Sequence, residues 1–325
     1  MRWIVYGAGA IGATIGARLQ LAGADVELIA RGEHGARMAR DGLTFVDPGG
    51  RTQLAVRVSE HPRDLRPQPE DVVLLCMKTQ HTASALDDLR AAGFGATPVV
   101  CVQNGVANEP LVLRRMPQVY ASVVNLPAQH LEPGVVVTFA AAPGAGVLDT
   151  GCYPEGVDDR ARAIASGFTA AGFVAEADPD VMARKRAKLL LNLGNALELL
   201  LADGDDRRTA ARVLRREGEA AFAAAGWRVM PLREFVDRSG DQVRRGEVPD
   251  VPHVGGSTWQ SLQRGSASSE IDFFNGEVAL QGRLHGVPTP VNATVLRLSL
   301  EVVAGQRAPR AMGWDELSRL SQAPQ

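Results

Sequence analysis

The sequence predicts an α/β domain with a parallel sheet, followed by an all-helical domain. In the first half of the chain, apolar runs typical of buried strands alternate with helical patterns, as they do in parallel sheets. Near Ala175 the strands end and long helical patterns begin, with Asp178 or Pro179 at the start of the first helix. At 325 residues the chain is longer than a typical single domain. We therefore expect one domain over residues 1–177 and a second over residues 178–325.

The first predicted strand, RWIVY, leads directly into a glycine-rich turn and an amphipathic helix. Gly7 permits the turn, Gly9 lets the backbone approach a pyrophosphate, and Gly12 lets the helix pack closely on the strand. The unpaired N–H groups at the start of the helix attract the anion. A second strand, ADVELIA, follows at the expected distance, so the pattern predicts a Rossmann-type dinucleotide-binding domain. The predicted cofactor contacts in this turn are Gly7, Ala8, Gly9, Ala10, Ile11 and Gly12.

The residue that follows the second strand indicates which dinucleotide is bound. An NAD site usually has Asp or Glu about 20 residues after the glycine turn, whereas an NADP site has a basic group for the extra phosphate. Here the strand leads into Ala30 and Arg31, and Glu27 lies within the strand itself. Because a basic residue follows the strand, we expect NADP(H) as the cofactor, with Arg31 at its 2′-phosphate. The alternative interpretation is that Arg31 is an ordinary surface arginine.

Two further strands end in polar residues that a parallel sheet would direct at the cofactor. Lys78 follows the strand VVLLCM, and Asn104 follows the strand in TPVVCV. The carboxyl ends of parallel strands line the cofactor crevice, so both are predicted contacts. The alternative is local turn chemistry, because Asn-Gly is a common turn and Lys-Thr can begin a helix. A hairpin pattern over residues 43–58 and short strands over 119–148 predict antiparallel additions to the sheet.

The helical pattern over residues 180–202 carries polar residues within an apolar run. In an α-helix, Lys188, Asn192 and Asn195 fall within one narrow sector, which displays an amine and two amides together. The alternative is a solvated polar stripe on an amphipathic helix. A crevice between a nucleotide-binding domain and a second domain is the default substrate site. The other predicted helices span residues 207–226, 269–285 and 291–304.

Composition argues against several classes of partner. Hydrophobic residues make up 45% of the chain and charged residues 22%, which is ordinary for a globular protein. The 35 basic residues balance 37 acidic residues, and no basic run suggests a nucleic acid. Cys76, Cys101 and Cys152 are widely separated, which predicts neither a disulfide framework nor a metal site. Polar residues interrupt the longest apolar segment, so we expect no membrane span and a cytoplasmic protein, and we allow for a homodimer.

Motifs from both predicted domains follow one another in a specific order and spacing. They are GAGAIG at 7–12, Arg31, Lys78-Thr79, QNG at 103–105, KLLLN at 188–192, SEIDFFNG at 269–276 and GVPTPVN at 286–292. In these motifs the chain resembles the ketopantoate reductase family over nearly its whole length. The glycine motif alone would fit many dehydrogenases, and the later motifs make the resemblance specific.

The resemblance implies NADPH-dependent reduction of a 2-oxo acid, with 2-dehydropantoate (ketopantoate) as the expected substrate. In this family the lysine of the K-x-x-x-N helix faces the nicotinamide and acts as general acid, so Lys188 takes that role here. A protonated amine neutralises the charge that forms on the ketone oxygen. Asn192 would hold the lysine in position, and Glu270 completes the expected catalytic set. Lys185, one helical turn earlier, is the rival for the general acid.

Further contacts with the substrate also follow from the resemblance. Glu270 resembles the family glutamate that accepts a hydroxyl of the substrate. Ser257 or Thr258 resembles the hydroxyl that meets the substrate carboxylate, and the choice between them stays open. The expected substrate contacts are Asn104, Asn192, Asn195, Ser257, Thr258 and Glu270.

Two other functions stay open at this point. An NADP-dependent dehydrogenase of another 2-oxo or hydroxy acid shares the architecture and a catalytic lysine, and only the segment SEIDFFNG argues against it. A non-catalytic NADPH sensor would keep the glycine turn and Arg31 but would have no use for Lys188 and Glu270. Turnover of any 2-oxo acid would exclude the sensor.

Overall fold

The structure is a computed structural model, which describes residues 1–130, 132–202, 204–249, 251, 259 and 270–322. As far as these residues are described, the chain divides into two compact units, residues 1–185 with 232–252 and residues 186–231 with 253–325. The first unit contains two β-sheets and the second is helical, which confirms the predicted α/β domain followed by a helical domain. In this part of the chain, no helix combines the length and the apolar character needed to cross a bilayer.

The larger sheet of the first unit has seven strands. They are β1 Arg2–Tyr6, β2 Asp25–Ile29, β5 Val58–Ser59, β6 Asp71–Leu75, β7 Val99–Cys101, β8 Val119–Ser122 and β11 Thr150–Cys152. Their order is β11-β8-β7-β6-β1-β2-β5, and all neighbours pair in parallel except β11 and β8. The antiparallel strand of this sheet, β11, lies just beyond the range 119–148 in which the sequence predicts such additions. The strand order changes direction at β1, which lies between β2 and β6.

The smaller sheet contains β3 Leu43–Asp47, β4 Gly50–Leu54, β9 Ala128–Gln129 and β10 Val135–Thr138. Its order is β4-β3-β10-β9, and β3 and β4 form the predicted hairpin. The hairpin was expected on the main sheet, and this part of the prediction is wrong. It forms a separate layer because β3 pairs with β10, and helix α1, Ala10–Leu21, packs between the two sheets. Residues 12–19 of α1 are therefore all buried, as in a helix that is covered on all sides.

The other helices whose bounds the structure describes follow in chain order. They are α2 Gly32–Asp41, α3 Thr82–Ala91, α4 Asn108–Leu113, α5 Asp159–Ala170, α6 Val181–Asn192, α7 Leu197–Leu200, α8 Asp205–Ala224, α9 Leu232–Gln242, α10 Asn275–His285, α11 Pro290–Val303 and α12 Trp314–Gln322. Helices α8, α10 and α11 agree with the predicted helical patterns. Residues 270–273, which the sequence places in the helix of α10, form a separate 3-10 turn.

The helix expected over residues 180–202 is not continuous. Helix α6 ends at Asn192, and a 3-10 turn, Leu193–Ala196, separates it from α7. Gly194 and Asn195 both have low helix propensity, which favours the interruption. Side chains three residues apart in a 3-10 turn lie one above the other, so Asn195 stays on the same side as Asn192. The expected single continuous helix is therefore wrong, because Asn195 lies in the 3-10 turn after α6.

Two motifs of the helical unit meet through buried amides. Asn275 Nδ2 donates a hydrogen bond of 3.0 Å to Asn292 Oδ1. The carboxylate of Glu217 accepts 2.9 Å bonds from the backbone N–H groups of Val291 and Asn292. These N–H groups lie in the first turn of α11, where a helix leaves its donors unpaired. The motifs SEIDFFNG and GVPTPVN therefore also stabilise the packing of α8, α10 and α11.

Residues 232–252 belong with the first unit, although the expected boundary at 177 and 178 assigns them to the second domain. Arg238 of α9 donates two hydrogen bonds, 2.9 Å and 2.7 Å long, to the buried carboxylate of Asp149. The backbone N–H of Arg244 donates to the carbonyl of Gly144 at 2.9 Å. Such long-range pairs leave no local pattern in the sequence.

Candidate functional site

Four predicted site residues lie just beyond the carboxyl ends of four adjacent strands. Gly7, Arg31, Lys78 and Asn104 follow β1, β2, β6 and β7, respectively. These strands are neighbours in the order β7-β6-β1-β2 and run parallel, so their carboxyl ends share one edge of the sheet. The structure therefore brings the four residues together where the strand order changes direction. Open α/β sheets bind their ligands at such a point.

The glycine turn leaves no room for a side chain at Gly7 or Gly12, but it does leave room at Gly9. Gly7 has φ +95°, and a Cβ there would lie 2.6 Å from the backbone nitrogen of Met77. A Cβ at Gly12 would clash with the carbonyl oxygen of Gly7. A Cβ at Gly9 would meet no heavy atom of the described residues within 4 Å, so its face is open. Helix α1 starts at Ala10, and no described side chain caps its first N–H groups, which leaves donors for a phosphate.

The carbonyl of Ala8, in the middle of this turn, is held by His34 of α2. His34 Nδ1 accepts a 2.8 Å bond from the backbone N–H of Gly134, so its proton lies on Nε2, which donates to Ala8 O at 2.8 Å. Burial lowers the pKa of His34 to about 4, and the ring of His130, whose centroid lies 3.9 Å away, adds to the shift. The imidazole is therefore neutral near neutral pH, in the tautomer that fixes the turn.

Arg31 lies within a cluster of polar side chains at the tip of β2. Its Nη2 donates to Asp88 Oδ2 at 2.6 Å and to the hydroxyl of Tyr6 at 2.9 Å. Burial alone would lower the pKa of Arg31, but the bonds to Asp88 and Tyr6 outweigh it and raise the pKa. The Arg31 side chain is still 58% exposed, so it can turn towards a ligand in solution.

A buried hydrogen-bond network joins the loop after β6 to the loop after β7. Thr82 Oγ1 donates to Asn108 Oδ1 at 2.7 Å, and Asn108 Nδ2 donates to Thr79 Oγ1 at 3.0 Å. Gln103 Nε2 donates to Thr82 Oγ1 at 3.2 Å. Thr79 directly follows Lys78, and Gln103 directly precedes Asn104. The network therefore fixes the two predicted cofactor contacts relative to each other.

Two predicted site residues have inaccessible amide atoms without a hydrogen-bond partner among the described residues. They are Oδ1 of Asn104, in the first unit, and Nδ2 of Asn192, in the second. Leaving such an atom unsatisfied costs about 1–3 kcal/mol. Buried amides of this kind are expected where a ligand completes the hydrogen bonding.

Lys185 forms a buried ion pair in the first unit. Its Nζ lies 2.7 Å from Glu109 Oε1, and the two side chains are 2% and 0% exposed. The angle at this contact is not that of a normal hydrogen bond. Among the described residues, neither carboxylate oxygen of Glu109 has a hydrogen-bond partner, so its charge is balanced by the Lys185 ammonium group alone through the ion pair. Nζ also donates to the carbonyls of Gln103, Ser122 and Cys101, at 2.7, 3.3 and 3.4 Å. The ammonium group therefore has a structural role, which argues against Lys185 as the general acid.

We expect Lys185→Ala to lower the free energy of unfolding by about 3–5 kcal/mol, because it leaves the Glu109 carboxylate buried without its cation. Denaturant unfolding of Lys185→Ala and of the double variant Lys185→Met/Glu109→Leu measures the effect. The double variant should recover most of the loss, since both charges are removed. An unchanged unfolding midpoint in Lys185→Ala would contradict this account.

The predicted residues of the second unit lie on three elements. Lys188 and Asn192 are on consecutive turns of α6, where Lys188 is half-buried and Asn192 is buried. Asn195 is half-buried in the 3-10 turn after α6. Glu270 is half-buried at the start of a 3-10 turn that packs on α10 and α11. The predicted residues outside the described part of the chain are Ser257 and Thr258.

Sequence reasoning missed Tyr6, His34, Asp88 and Glu109. Tyr6 is the last residue of β1 and lies beside Ile29 of β2, so its approach to Arg31 follows from the parallel register of the two strands. The other three lie on helices, outside any motif, and their partners are distant in sequence. No local pattern would have revealed them.

Comparisons with known proteins agree with this architecture. The sequence profile described as Ketopantoate reductase PanE/ApbA matches residues 3–153, and the profile of the C-terminal part of that family matches residues 181–302. A 2-dehydropantoate 2-reductase of Archaeoglobus fulgidus is 29% identical over 311 residues, which cover 93% of this chain and 97% of that protein.

Solved structures show the same similarity. A PanE/ApbA family ketopantoate reductase of Ralstonia eutropha JMP134 is 27% identical with a TM-score of 0.78, covering 94% of this chain and 99% of that one. A D-mandelate dehydrogenase solved with NADH and anilino(oxo)acetate has a TM-score of 0.78 at 20% identity, covering 98% and 100%, a likeness of fold alone. The two profile matches span most of the sequence, so the chain belongs to the ketopantoate reductase family and is an oxidoreductase that acts on a CH–OH group.

Proposed function

We propose that the protein reduces the ketone of a 2-oxo acid with NADPH, and that 2-dehydropantoate is the substrate. The observation that carries the proposal is the sheet edge, where an open Gly9, an uncapped helix start and an accessible Arg31 follow adjacent strands. The open face and the N–H groups of α1 suit a pyrophosphate, and Arg31 suits a 2′-phosphate. A nicotinamide dinucleotide is the cofactor class that the family membership supports. NADPH supplies the hydride.

Lys188 is the proposed general acid. Negative charge develops on the ketone oxygen as the carbon is reduced, and the Lys188 ammonium group neutralises this charge and donates the proton. Such catalysis typically contributes about 10²–10⁴-fold. Asn192, one turn along α6, has an unpaired Nδ2 that can donate to the same oxygen without competing for the proton. Asn104 has an unpaired Oδ1, which can accept a hydrogen bond from the substrate or the cofactor.

The choice of 2-dehydropantoate rests on Glu270. An ionised carboxylate only accepts hydrogen bonds, so it favours a substrate with a hydroxyl near the 2-oxo group. Ser257 and Thr258 are the proposed partners of the substrate carboxylate. The relatives named 2-dehydropantoate 2-reductase support this substrate, since one covers 93% of the chain.

A second candidate is reduction of a longer or differently branched 2-oxo acid. The observation that favours it is the position of Asn195, which is half-buried in the 3-10 turn after α6 rather than in the helix of Lys188 and Asn192. The same fold serves a D-mandelate dehydrogenase, so it accommodates other 2-hydroxy acids. A substrate panel distinguishes the two candidates.

The cofactor assignment predicts that NADPH binds more than about tenfold tighter than NADH, because Arg31 makes a charge-assisted contact that NADH lacks. Arg31→Ala should remove most of this difference. Fluorescence titration of each nucleotide against each protein measures it. Arg37→Ala is a matched control, because Arg37 is an exposed arginine of α2 that pairs with Asp41. Equal affinities in the unchanged protein would contradict the assignment.

A crystal structure with NADPH and a 2-oxo acid tests the whole site. We expect Lys188 Nζ within hydrogen-bond distance of the oxo oxygen, and Asn104 Oδ1 and Asn192 Nδ2 paired with bound groups. A structure in which Lys188 points away from the oxo oxygen would overturn the proposed general acid.

A further inference from the structure

The cluster around Arg31 contains a carboxylate that the proposed function does not use. Asp88, on α3, accepts from Arg31 at 2.6 Å and from the hydroxyl of Tyr6 at 3.0 Å, both on Oδ2. His61 Nε2 lies 3.1 Å from its other oxygen, Oδ1. Burial would raise the pKa of Asp88, but the bonds from Arg31, Tyr6 and His61 outweigh it and lower the pKa. The carboxylate is therefore charged and held by groups from three different elements.

We propose that Asp88 sets the preference between NADPH and NADH, by competing with the 2′-phosphate for Arg31. This inference rests on the proposed function. Both anions need the same guanidinium group, and the Asp88 carboxylate already lies 2.6 Å from it. A phosphate that binds Arg31 must therefore displace Asp88 or lie close to a second negative charge.

The contacts of Asp88 decide which of these happens. Tyr6 and His61 hold the carboxylate independently of Arg31, so Asp88 stays in place when the arginine turns towards the phosphate. The Asp88 side chain is 28% exposed, so its repulsion of the phosphate is only partly screened. Asp88 thus offsets part of the positive charge that Arg31 brings to the 2′-phosphate.

The same carboxylate has the opposite effect on NADH. NADH has a hydroxyl where NADPH has the 2′-phosphate, and a carboxylate at this place accepts hydrogen bonds from ribose hydroxyls in NAD sites. In this chain the acidic group comes from α3 rather than from the tip of β2. The site therefore contains one group for each nucleotide, Arg31 for the phosphate and Asp88 for the hydroxyl.

The test is Asp88→Asn in the full chain, which keeps the size and polarity of the side chain but removes its charge. We expect the ratio of the NADH to the NADPH dissociation constant to rise by about tenfold, mainly through tighter NADPH binding. Asp87→Asn is the matched control. Asp87 is the adjacent residue of α3, pairs with Arg115 at 2.8 Å and carries the same charge, so its removal should leave the ratio within about twofold.

Thermal unfolding of both variants checks that the fold is retained, and Asp88→Ser replaces Asp88→Asn if that variant is unstable. An unchanged or lower ratio after loss of the Asp88 charge overturns the inference. An equal rise in Asp87→Asn also overturns it, because the effect would then be one of net charge. If Arg31→Ala removes the NADPH preference while Asp88→Asn has no effect, the proposed function stands and this inference fails. If Arg31→Ala leaves the preference for NADPH intact, the assignment of Arg31 to the 2′-phosphate fails and this inference fails with it, while NADPH stands as the cofactor.

Discussion

Lys188→Ala should lower kcat by at least about a hundredfold while the affinity for NADPH stays near its original value. The variant removes the group proposed to neutralise and protonate the ketone oxygen, and it leaves the glycine turn and Arg31 unchanged. Steady-state kinetics with NADPH and ketopantoate give kcat, and nucleotide titration gives the affinity. Lys188→Met should be equally impaired, because it retains most of the half-buried stem and lacks only the ammonium group.

A suitable control lies on the same helix. Arg186 is also cationic, stacks on Trp227 at 5.0 Å and donates to the carbonyl of Arg228. Arg186→Gln removes one positive charge from α6 and leaves the identity of every proposed site residue unchanged, so its kcat should change by less than about threefold. A large loss in Arg186→Gln together with a small loss in Lys188→Ala would exclude Lys188 as the acid.

Ketopantoate should be reduced much faster than the matching 2-oxo acid that lacks the 4-hydroxyl. A site built to bind a hydroxyl rejects the analogue without it by about 10⁴-fold, because its own polar group is left unpaired. The ratio in question is kcat/KM for ketopantoate divided by kcat/KM for the analogue. Glu270→Ala should lower this ratio by a larger factor than it lowers kcat/KM for the analogue. Kinetics of both acids with both proteins measure the two changes.

Asp272→Ala is the control for this variant, since Asp272 is an exposed carboxylate of the same 3-10 turn. It should leave the ratio unchanged. If the unchanged protein reduces both acids with the same kcat/KM, ketopantoate is excluded as the substrate, but the reductase assignment stands. Asn195, in the 3-10 turn after α6, would then direct the search to longer or differently branched acids.

The local parts of the fold could be predicted from the sequence. The glycine turn between β1 and α1, the hairpin of β3 and β4 and the helices α8, α10 and α11 all have patterns with a short period. The smaller sheet could not be predicted, because β3 pairs with β10, which lies far along the chain. The break after Asn192 was missed because the leucine-rich pattern continues through it, although Gly194 weakens the helix.

The site residues also divide into those with a local signal in the sequence and those that depend on distant contacts. Gly7, Arg31, Lys78 and Asn104 could be placed from sequence, because the carboxyl ends of adjacent parallel strands must meet. Asp88 and His34 could not, since each reaches the site from a helix through a contact that depends on tertiary packing. Lys185 and Lys188 are chemically alike in sequence, and only burial beside Glu109 assigns a structural role to the first.

The most direct test of the central claim is the stoichiometry of NADPH oxidation by the purified protein with ketopantoate. We expect one pantoate for each NADPH oxidised, with NADPH used in preference to NADH. Absence of NADPH oxidation with ketopantoate and with a panel of other 2-oxo acids would contradict the account.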